Sequence, residues 1–177
     1  PASTITLSGN KSVSFWMYLD TVAGFRTVAA RSTSSYSFLF NGSTAVYVRA
    51  GSPQTFTGSG YSLSAGTWTH VAVTGDGSDL IFYLNGTAVG GTQTDAGSLG
   101  MERFFEYNSS AFLDGKIDEL ALFNTTLSPT DVSTIANTGA ASGSKGIDLS
   151  GYSPLHWWRM GDINGSSGAT IADQGSG

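Results

Sequence analysis

The sequence lacks cysteine entirely and is poor in charged residues, and both absences narrow the classes of protein that it can encode. Without cysteine, disulfides and thiolate metal sites are excluded, which favours a prokaryotic or viral origin over a small secreted eukaryotic domain. Charged residues make up only 12% of the chain and give a net charge of −5, which argues against nucleic acid as the main partner, because phosphate binding needs clustered Lys and Arg. No apolar run approaches the roughly 20 residues of a transmembrane helix, so we expect no membrane insertion.

The ends of the sequence and one shift in composition define the expected boundaries. The chain begins at Pro1 without methionine, shows no signal peptide and ends at Gly177, which indicates a processed product or an excerpt of a longer polypeptide. Residues 138–153 are rich in Gly, Ser and Ala and are the best candidate for a linker. We therefore expect a main sandwich over 1–137 and a separate C-terminal strand segment over 154–177.

Glycine and aromatic residues are abundant instead, and they recur in a strand-and-turn pattern. The chain contains 24 glycines, which serve turns, and 12% aromatics, which fit pleated surfaces. The dipeptides Asp76-Gly77 and Asn85-Gly86 favour the positive φ of tight turns and follow two apolar runs, which predicts a β-hairpin. Strands are predicted at 3–8, 12–20, 25–31, 35–41, 44–50, 67–75, 79–85, 86–90, 102–107, 111–123 and 155–160. This pattern predicts an all-β, antiparallel two-sheet sandwich of the jelly-roll type.

One short helix is predicted near 129–137. Ser128 can cap it, Pro129 suits the first helical position, and Asp131 complements the positive N-terminus. Val132 and Ile135 lie on one face, so we expect the helix to pack against an edge of the sandwich.

Three segments carry a resemblance to a known family. They are residues 12–17 (SVSFWM), the hairpin that starts at 68–73 (WTHVAV), and residues 115–120 (GKIDEL) with the Leu127-Ser128 pair that follows. In this order they resemble the laminin G-like, or concanavalin A-like, lectin and glucanase domains. The resemblance implies a jelly-roll sandwich that recognises ligands at its surface, often with Ca²⁺ bound at rim loops.

The C-terminal segment carries a second resemblance. Residues 157–162 (WWRMGD) are similar to segments of marine bacteriophage virion proteins that contain such domains. Two placements are open, since the strand either completes this sandwich or starts a further repeat. We favour the first placement, because an exposed Trp157-Trp158 pair would form a costly apolar patch.

The acidic residues argue against a glycoside hydrolase. Retaining glycosidases need two carboxyl groups about 5–5.5 Å apart, which a Glu-x-Asp spacing on one strand provides. Here Asp118 and Glu119 are adjacent and are expected on opposite faces of a strand, while Glu102 and Glu106 would lie about 13 Å apart. We therefore expect that the protein is not an enzyme.

The candidate ligand-binding residues are tyrosines and arginines in loops or at strand edges. A tyrosine pairs an apolar ring with a polar tip, and an arginine can fork onto hydroxyls or carboxylates. The selected residues are Tyr36, Arg49, Tyr61, Arg103 and Tyr107, and Tyr47 shares their character.

Candidate metal ligands follow from residue chemistry and the resemblance rather than from a motif. The carboxylates of Asp118 and Glu119 suit a Ca²⁺ ligand or a ligand-contacting acid, because Ca²⁺ takes several carboxylate and carbonyl oxygens. If Ca²⁺ is a cofactor, the resemblance adds Asp20, Asp95 and Asp114 at rim loops, although no Asp-x-Asp-x-Asp run supports them. The selected ligands are Asp20, Asp114 and Asp118. The alternative for Asp118 and Glu119 is structural, with one carboxylate accepting backbone hydrogen bonds while the other faces solvent.

These observations predict a non-catalytic, lectin-like binding and adhesion domain of a bacteriophage virion protein. Its expected partner is a cell-surface or capsule polysaccharide, bound by many copies on a particle or by a homo-oligomer at the virion surface. The alternative is a structural decoration, knob or fibre domain that binds other virion proteins. A glycoside hydrolase of the same fold is the third and least favoured hypothesis.

Overall fold

The structure, a computed structural model, describes residues 4–32, 35–138, 148–160 and 171–176. Most of the predicted linker, residues 139–147, lies outside the described residues. The strands are β1 (Ile5–Leu7), β2 (Lys11–Leu19), β3 (Phe25–Ser32), β4 (Ser35–Asn41), β5 (Ala45–Ala50), β6 (Ser52–Thr57), β7 (Trp68–Gly75), β8 (Asp79–Leu84), β9 (Thr87–Thr94), β10 (Leu99–Met101), β11 (Arg103–Phe104), β12 (Gly115–Phe123) and β13 (His156–Trp158). Helix α1 spans Pro129–Thr138, and a 3₁₀ turn spans Ser150–Tyr152.

The strands form two large antiparallel sheets and one short strand pair. The six-stranded sheet has the order β13-β12-β2-β7-β8-β9, and the five-stranded sheet has the order β11-β3-β4-β5-β6. β1 pairs with β10. This arrangement confirms the predicted jelly-roll-like sandwich with one short helix.

The main core lies between the inner faces of the two large sheets. Along β2, Val13, Phe15 and Met17 alternate into this core, as the period of two in a strand predicts. Phe38 and Phe40 of β4 face them from the other sheet and are fully buried. The rings of Phe15 and Phe38 meet edge to face with centroids 6.1 Å apart, so the two sheets interlock through aromatic contacts.

A second apolar cluster lies on the outer face of the six-stranded sheet. Tyr83 and Ala121 belong to this face, and Val132 and Ile135 of α1 pack onto them. Trp157 of β13 completes the cluster and is 5% exposed. The helix therefore seals one side of the sandwich instead of standing alone.

The N-terminus of α1 is capped as the sequence predicts. The backbone N–H of Asp131 donates to Ser128 Oγ at 3.1 Å, and the Ser128 N–H donates back to the Asp131 carboxylate at 3.0 Å. This reciprocal pair satisfies two N–H groups that have no partner inside the helix.

Among the described residues, none of the helices combines the length and the apolar composition that a membrane span requires.

One strand at the edge of a sheet was missed by the sequence analysis. β6 contains Pro53, and proline has no backbone N–H to donate to a neighbouring strand. The structure places β6 at the edge of the five-stranded sheet, where only one side of the strand is paired. An edge position tolerates the missing donor, so the strand forms.

Several predicted strands are shorter in the structure, among them the runs 102–107 and 111–123. The run 102–107 keeps only Arg103–Phe104, because Phe105 adopts a left-handed φ of 67° and ends the strand. The run 111–123 begins at Gly115. The strand β10, which was not predicted, lies just before the first of these runs and pairs with β1.

The C-terminal strand lies at the edge of the six-stranded sheet. β13 pairs with β12, so that Trp158 lies opposite Leu120 and His156 opposite Leu122. Trp157, between them, points into the cluster beneath α1.

Candidate functional site

The outer face of the five-stranded sheet carries partly exposed aromatic side chains. On β5, Val46 and Val48 point into the core and are fully buried, so Tyr47 and Arg49 point outward. Phe25, the first residue of β3, is 48% exposed, and its ring centroid lies 6.5 Å from that of Tyr47. Large apolar rings are therefore accessible on this face.

A β-bulge brings Tyr36 to the same face. Phe38 and Tyr36 pair with consecutive residues of β3, so Ser37 is an additional residue in β4. Strict alternation with the buried Phe38 would direct Tyr36 into the core, but its ring centroid lies 6.2 Å from that of Tyr47. The buried hydroxyl of Ser37 donates to the carbonyl of Gly100, which holds the bulge in place.

Four rings form what we call the aromatic strip: Phe25, Tyr47, Tyr36 and Tyr107. Their successive centroids lie 6.5, 6.2 and 5.8 Å apart, with the Tyr36 and Tyr107 rings at 89° to each other. Three of the four are tyrosines, which combine an apolar ring face with a hydroxyl that can hydrogen-bond. The strip therefore suits a ligand that has both apolar and polar surface.

A polar groove of about 520 Å³ adjoins the strip. Backbone and side chains of β1, β3, β4 and β5, together with the segment after β10, meet there. The polar groove is lined by Thr4, Thr6, Arg31, Ser32, Ser35, Arg49, Gly51 and Glu102. Its volume lies in the range of small-ligand sites, and its lining offers both donors and acceptors.

Arg49 joins the strip to the groove. Its guanidinium lies over the Tyr36 ring, with Cζ 5.1 Å from the centroid, and the same side chain lines the polar groove. The Arg49 Nε is buried and has no hydrogen-bond partner among the described residues.

The structure brings three of the five predicted binding residues together. Tyr36, Arg49 and Tyr107 lie in one patch. Arg103 lies on β11 at the edge of the same sheet, with its Nη1 3.5 Å from the Glu106 carboxylate.

Tyr61, the remaining predicted binding residue, has a different environment. It is 8% exposed, its ring packs on Phe82, and its hydroxyl donates to the carbonyl of Ala45 at 2.9 Å. Burial raises the pKa of Tyr61, because the phenolate would lose its solvation. The predicted surface residue is therefore part of the core.

The predicted Ca²⁺ ligands do not form one site in the described residues. Asp20 and Asp114 are neighbours through a backbone hydrogen bond of 2.9 Å, but Arg26 lies 3.7 Å from the Asp114 carboxylate. Asp118 lies further along β12 and accepts the backbone N–H of Glu119 at 2.8 Å. No group of three or more acidic or histidine side chains converges in the described part of the chain.

The fourth acidic candidate, Asp95, is a buried ion-pair partner. Its Oδ2 lies 2.6 Å from Lys11 Nζ, and both side chains are almost fully buried. The backbone N–H of Gly77 donates to the same carboxylate oxygen at 2.9 Å. Asp95 therefore connects β2 to the β7–β8 turn.

Glu119 braces the C-terminal strand. A β-bulge between Asp118 and Ala121 gives Glu119 a left-handed φ of 51°. Its carboxylate accepts the indole N–H of Trp157 at 2.5 Å and the Arg159 Nε–H at 3.1 Å. Burial raises the pKa of Glu119, although both donors oppose the shift. The side chain is 4% exposed, so it cannot reach a substrate in solution.

Both histidines have structural surroundings. His70 is fully buried, its Nε2 lies 2.9 Å from Ser14 Oγ, and burial lowers the pKa of its imidazole to about 4. His156 Nδ1 lies 2.5 Å from the Asp173 carboxylate, which also accepts the Trp157 N–H at 2.8 Å. Burial alone would raise the pKa of Asp173, but the hydrogen bonds to its carboxylate outweigh burial and lower that pKa.

The sequence analysis did not select Phe25 or Arg31. The two-residue spacing of Tyr47 and Arg49 was the sequence signal that one face of β5 points outward. No comparable signal marked Phe25 and Arg31 on β3. Phe25 and Arg31 lie at the two ends of β3, where no periodic pattern separates surface residues from core residues.

Solved structures of low sequence identity share this fold. A protein from Bacteroides ovatus ATCC 8483, to which carbohydrate binding has been ascribed, superposes over 97% of this chain with a TM-score of 0.70 and 12% identity. The match covers 53% of that protein, so the chain spans about half its length. No curated protein matches this sequence.

Two further similar structures cover less of the chain. The heptameric pentraxin of Limulus polyphemus matches 78% of this chain and 75% of its own, with 17% identity and a TM-score of 0.54. The CBM40 of the Ruminococcus gnavus IT-sialidase, bound to α2,3 sialyllactose, matches 73% of this chain and 84% of its own, with 7% identity and a TM-score of 0.55. At these identities, the likeness establishes the fold.

The fold and the site define a jelly-roll β-sandwich domain with a ligand-sized groove on one sheet face. The family model of the concanavalin A-like lectin/glucanases superfamily matches residues 1–133. The chain belongs to this superfamily.

Proposed function

We propose that this chain is a non-catalytic, lectin-like domain that binds a saccharide across the aromatic strip and the polar groove. The observation that carries the proposal is the convergence of the two features on one sheet face, joined by Arg49. A sugar ring has apolar C–H faces that pack on aromatic rings and hydroxyls that need hydrogen-bond partners. The carbohydrate-binding proteins of similar fold support this class of ligand.

The acidic residues support a binding role over a catalytic one. A retaining glycosidase needs two accessible carboxyl groups beside its substrate. Glu119 is buried against Trp157 and Arg159, and Asp118 accepts a backbone hydrogen bond. Glu106 of the loop near the strip faces Arg103.

The proposal is tested by removing rings from the strip. Tyr36→Ala and Tyr47→Ala should each weaken saccharide binding by about tenfold or more, because a central aromatic contact is worth over 1 kcal/mol. A glycan array identifies ligands of the wild-type protein, and isothermal titration with the best ligand measures each variant.

The matched control is Tyr18→Ala. Tyr18 is also a half-buried tyrosine with an aromatic neighbour, Trp68 at 5.7 Å, but it lies on the six-stranded sheet. Its removal should leave the affinity unchanged. Equal affinities for all three variants and the wild type would contradict the location of the site, and release of reducing sugar would contradict the non-catalytic assignment.

The virion setting predicted from the sequence forms part of the proposal. Many copies on a particle would raise the effective affinity of a weak single site. Immunogold labelling of particles from the source of the sequence tests this setting, and labelling of material other than particles would contradict it.

A second candidate function is a structural domain that binds other proteins of the particle. Phe105 and Phe112 are 36% and 52% exposed and lie in the loops that flank the Tyr107 region, and exposed rings of this size favour protein contacts. Light scattering on the wild type and on Phe112→Ser tests this role. Oligomers lost in the variant would support it, whereas monomers in both would oppose it.

A further inference from the structure

Arginines are concentrated on the sheet that carries the site. The protein has a net charge of −5, yet four of its five arginines, Arg26, Arg31, Arg49 and Arg103, belong to the five-stranded sheet. An acidic protein therefore presents locally positive charge beside the aromatic strip.

Two of these arginines are compensated by acidic neighbours. Arg26 Nη2 lies 3.7 Å from the Asp114 carboxylate, and Arg103 lies 3.5 Å from Glu106 and 4.0 Å from Glu102. The positive charges of Arg26 and Arg103 are therefore balanced within the protein, which leaves little charge for a ligand.

The other two arginines, Arg31 and Arg49, both line the polar groove and have no carboxylate partner in the described ranges. The one acid of the groove, Glu102, lies beside Arg103 at its edge. Among the described residues of the groove, Arg31 and Arg49 are therefore available to a ligand. The one carboxylate there, Glu102, already lies near Arg103.

Arg49 is held in a position to bind. Its guanidinium lies over the Tyr36 ring, with Cζ 5.1 Å from the centroid, and the same side chain lines the groove. The planar fork of a guanidinium matches the two oxygens of a carboxylate or sulfate. A neutral hydroxyl could accept a hydrogen bond from either guanidinium but would leave both charges uncompensated.

We propose that the groove binds an anionic substituent, a carboxylate or a sulfate, of a saccharide whose ring packs on the aromatic strip. The domain then selects acidic over neutral glycans through Arg31 and Arg49. This inference rests on the proposed saccharide-binding function and specifies its ligand class.

The test compares matched acidic and neutral ligands. Array glycans are sorted into pairs that differ by one carboxylate or sulfate, and the best acidic ligand is titrated beside its methyl-esterified or desulfated form. The wild type should bind the acidic member about tenfold or more tightly, and its affinity should fall as salt rises. Preference for the carboxylated or the sulfated members identifies which anion the groove takes.

The variants are Arg31→Gln and Arg49→Gln, with Arg26→Gln as the control on the same sheet. Each groove variant should lose most of the preference for the acidic ligand, because its affinity for the acidic form should fall by more than its affinity for the neutral form. The control should keep the preference, since Arg26 is paired with Asp114. Arg31 is exposed, so its variant remains informative if Arg49→Gln lowers stability.

The outcomes separate the two proposals. If Tyr47→Ala abolishes binding but acidic and neutral ligands bind equally, the inference is wrong and the saccharide function stands. If the folded wild type binds no array glycan, the proposed function fails and the inference falls with it. If the groove variants keep the full acidic preference, another part of the surface carries the charge selection.

Discussion

The two sheets of the sandwich differ in what lies on their outer faces. On the six-stranded sheet, Tyr83 and Ala121 are buried beneath α1, and Trp157 of β13 closes the cluster. On the five-stranded sheet, Phe25 and Tyr47 remain partly exposed. The same residue types therefore stabilise the fold on one face and are available to a ligand on the other.

The difference also separates the arginines and the acids. Arg159 on the covered side donates to the buried Glu119, so its charge is used within the protein. Arg49 on the open side lies over the Tyr36 ring, lines the polar groove and has no carboxylate partner in the described residues. On the covered face the polar groups make contacts within the protein, whereas on the open face they can contact a ligand.

The largest expected contrast is between two aromatic truncations. Trp157→Ala should lower the free energy of unfolding by about 3–5 kcal/mol, because it opens a cavity and removes a donor from the buried Glu119. Tyr47→Ala on the open face should cost about 1 kcal/mol or less. Urea unfolding of both variants measures the contrast, and equal losses would break the comparison.

A second contrast comes from pH and concerns His70 on the covered face. Burial lowers the pKa of His70 to about 4 from an ordinary value of 6.5, so the unfolded chain binds a proton more readily than the folded protein does. The contribution of the neutral His70 imidazole to the free energy of unfolding is fully present above pH 6.5 and is lost as pH falls towards 4. The total loss is about 3 kcal/mol.

Denaturant unfolding at several pH values measures this loss. His70→Gln, whose amide can still meet Ser14, should flatten the pH dependence between 4 and 6.5. His156→Gln, at the partly exposed edge, should keep it. An unchanged slope in His70→Gln would show that the acid sensitivity arises elsewhere.

The smallest expected effect concerns the cap of the covering helix. Ser128→Ala removes the acceptor of the Asp131 N–H and should cost about 1 kcal/mol. Thr130→Ala, an exposed position in the same turn, should change stability by less than about 0.5 kcal/mol. Thermal unfolding compares the two, and an equal shift in Tm would contradict a role for the capping box in covering this face.

Much of the fold could be predicted because its signals are local. The β7–β8 hairpin follows from two apolar runs and the turn at Asp76-Gly77, and α1 follows from its cap and the spacing of Val132 and Ile135. β6 could not be predicted, since Pro53 is acceptable only at an edge, and edge position depends on the order of strands in the whole sheet.

The candidate site could be predicted only in part. Residue type selected Tyr36, Arg49 and Tyr107, which the structure brings into one patch, but the same criterion selected Tyr61, which is buried. A tyrosine in a turn-rich segment has the same local pattern in both situations. Its burial depends on whether Phe82, from a distant strand, packs against it.

The sequence by itself determined the sandwich class, the main hairpin and the capped helix, because alternation, turn dipeptides and capping residues act over a few positions. Tertiary structure alone decided which aromatics are exposed. An additional residue at Ser37 reverses the alternation and turns Tyr36 outward, and a bulge at Glu119 directs its carboxylate to Trp157. Whether a face is then covered depends on elements far along the chain, and a period-two pattern carries no information about them.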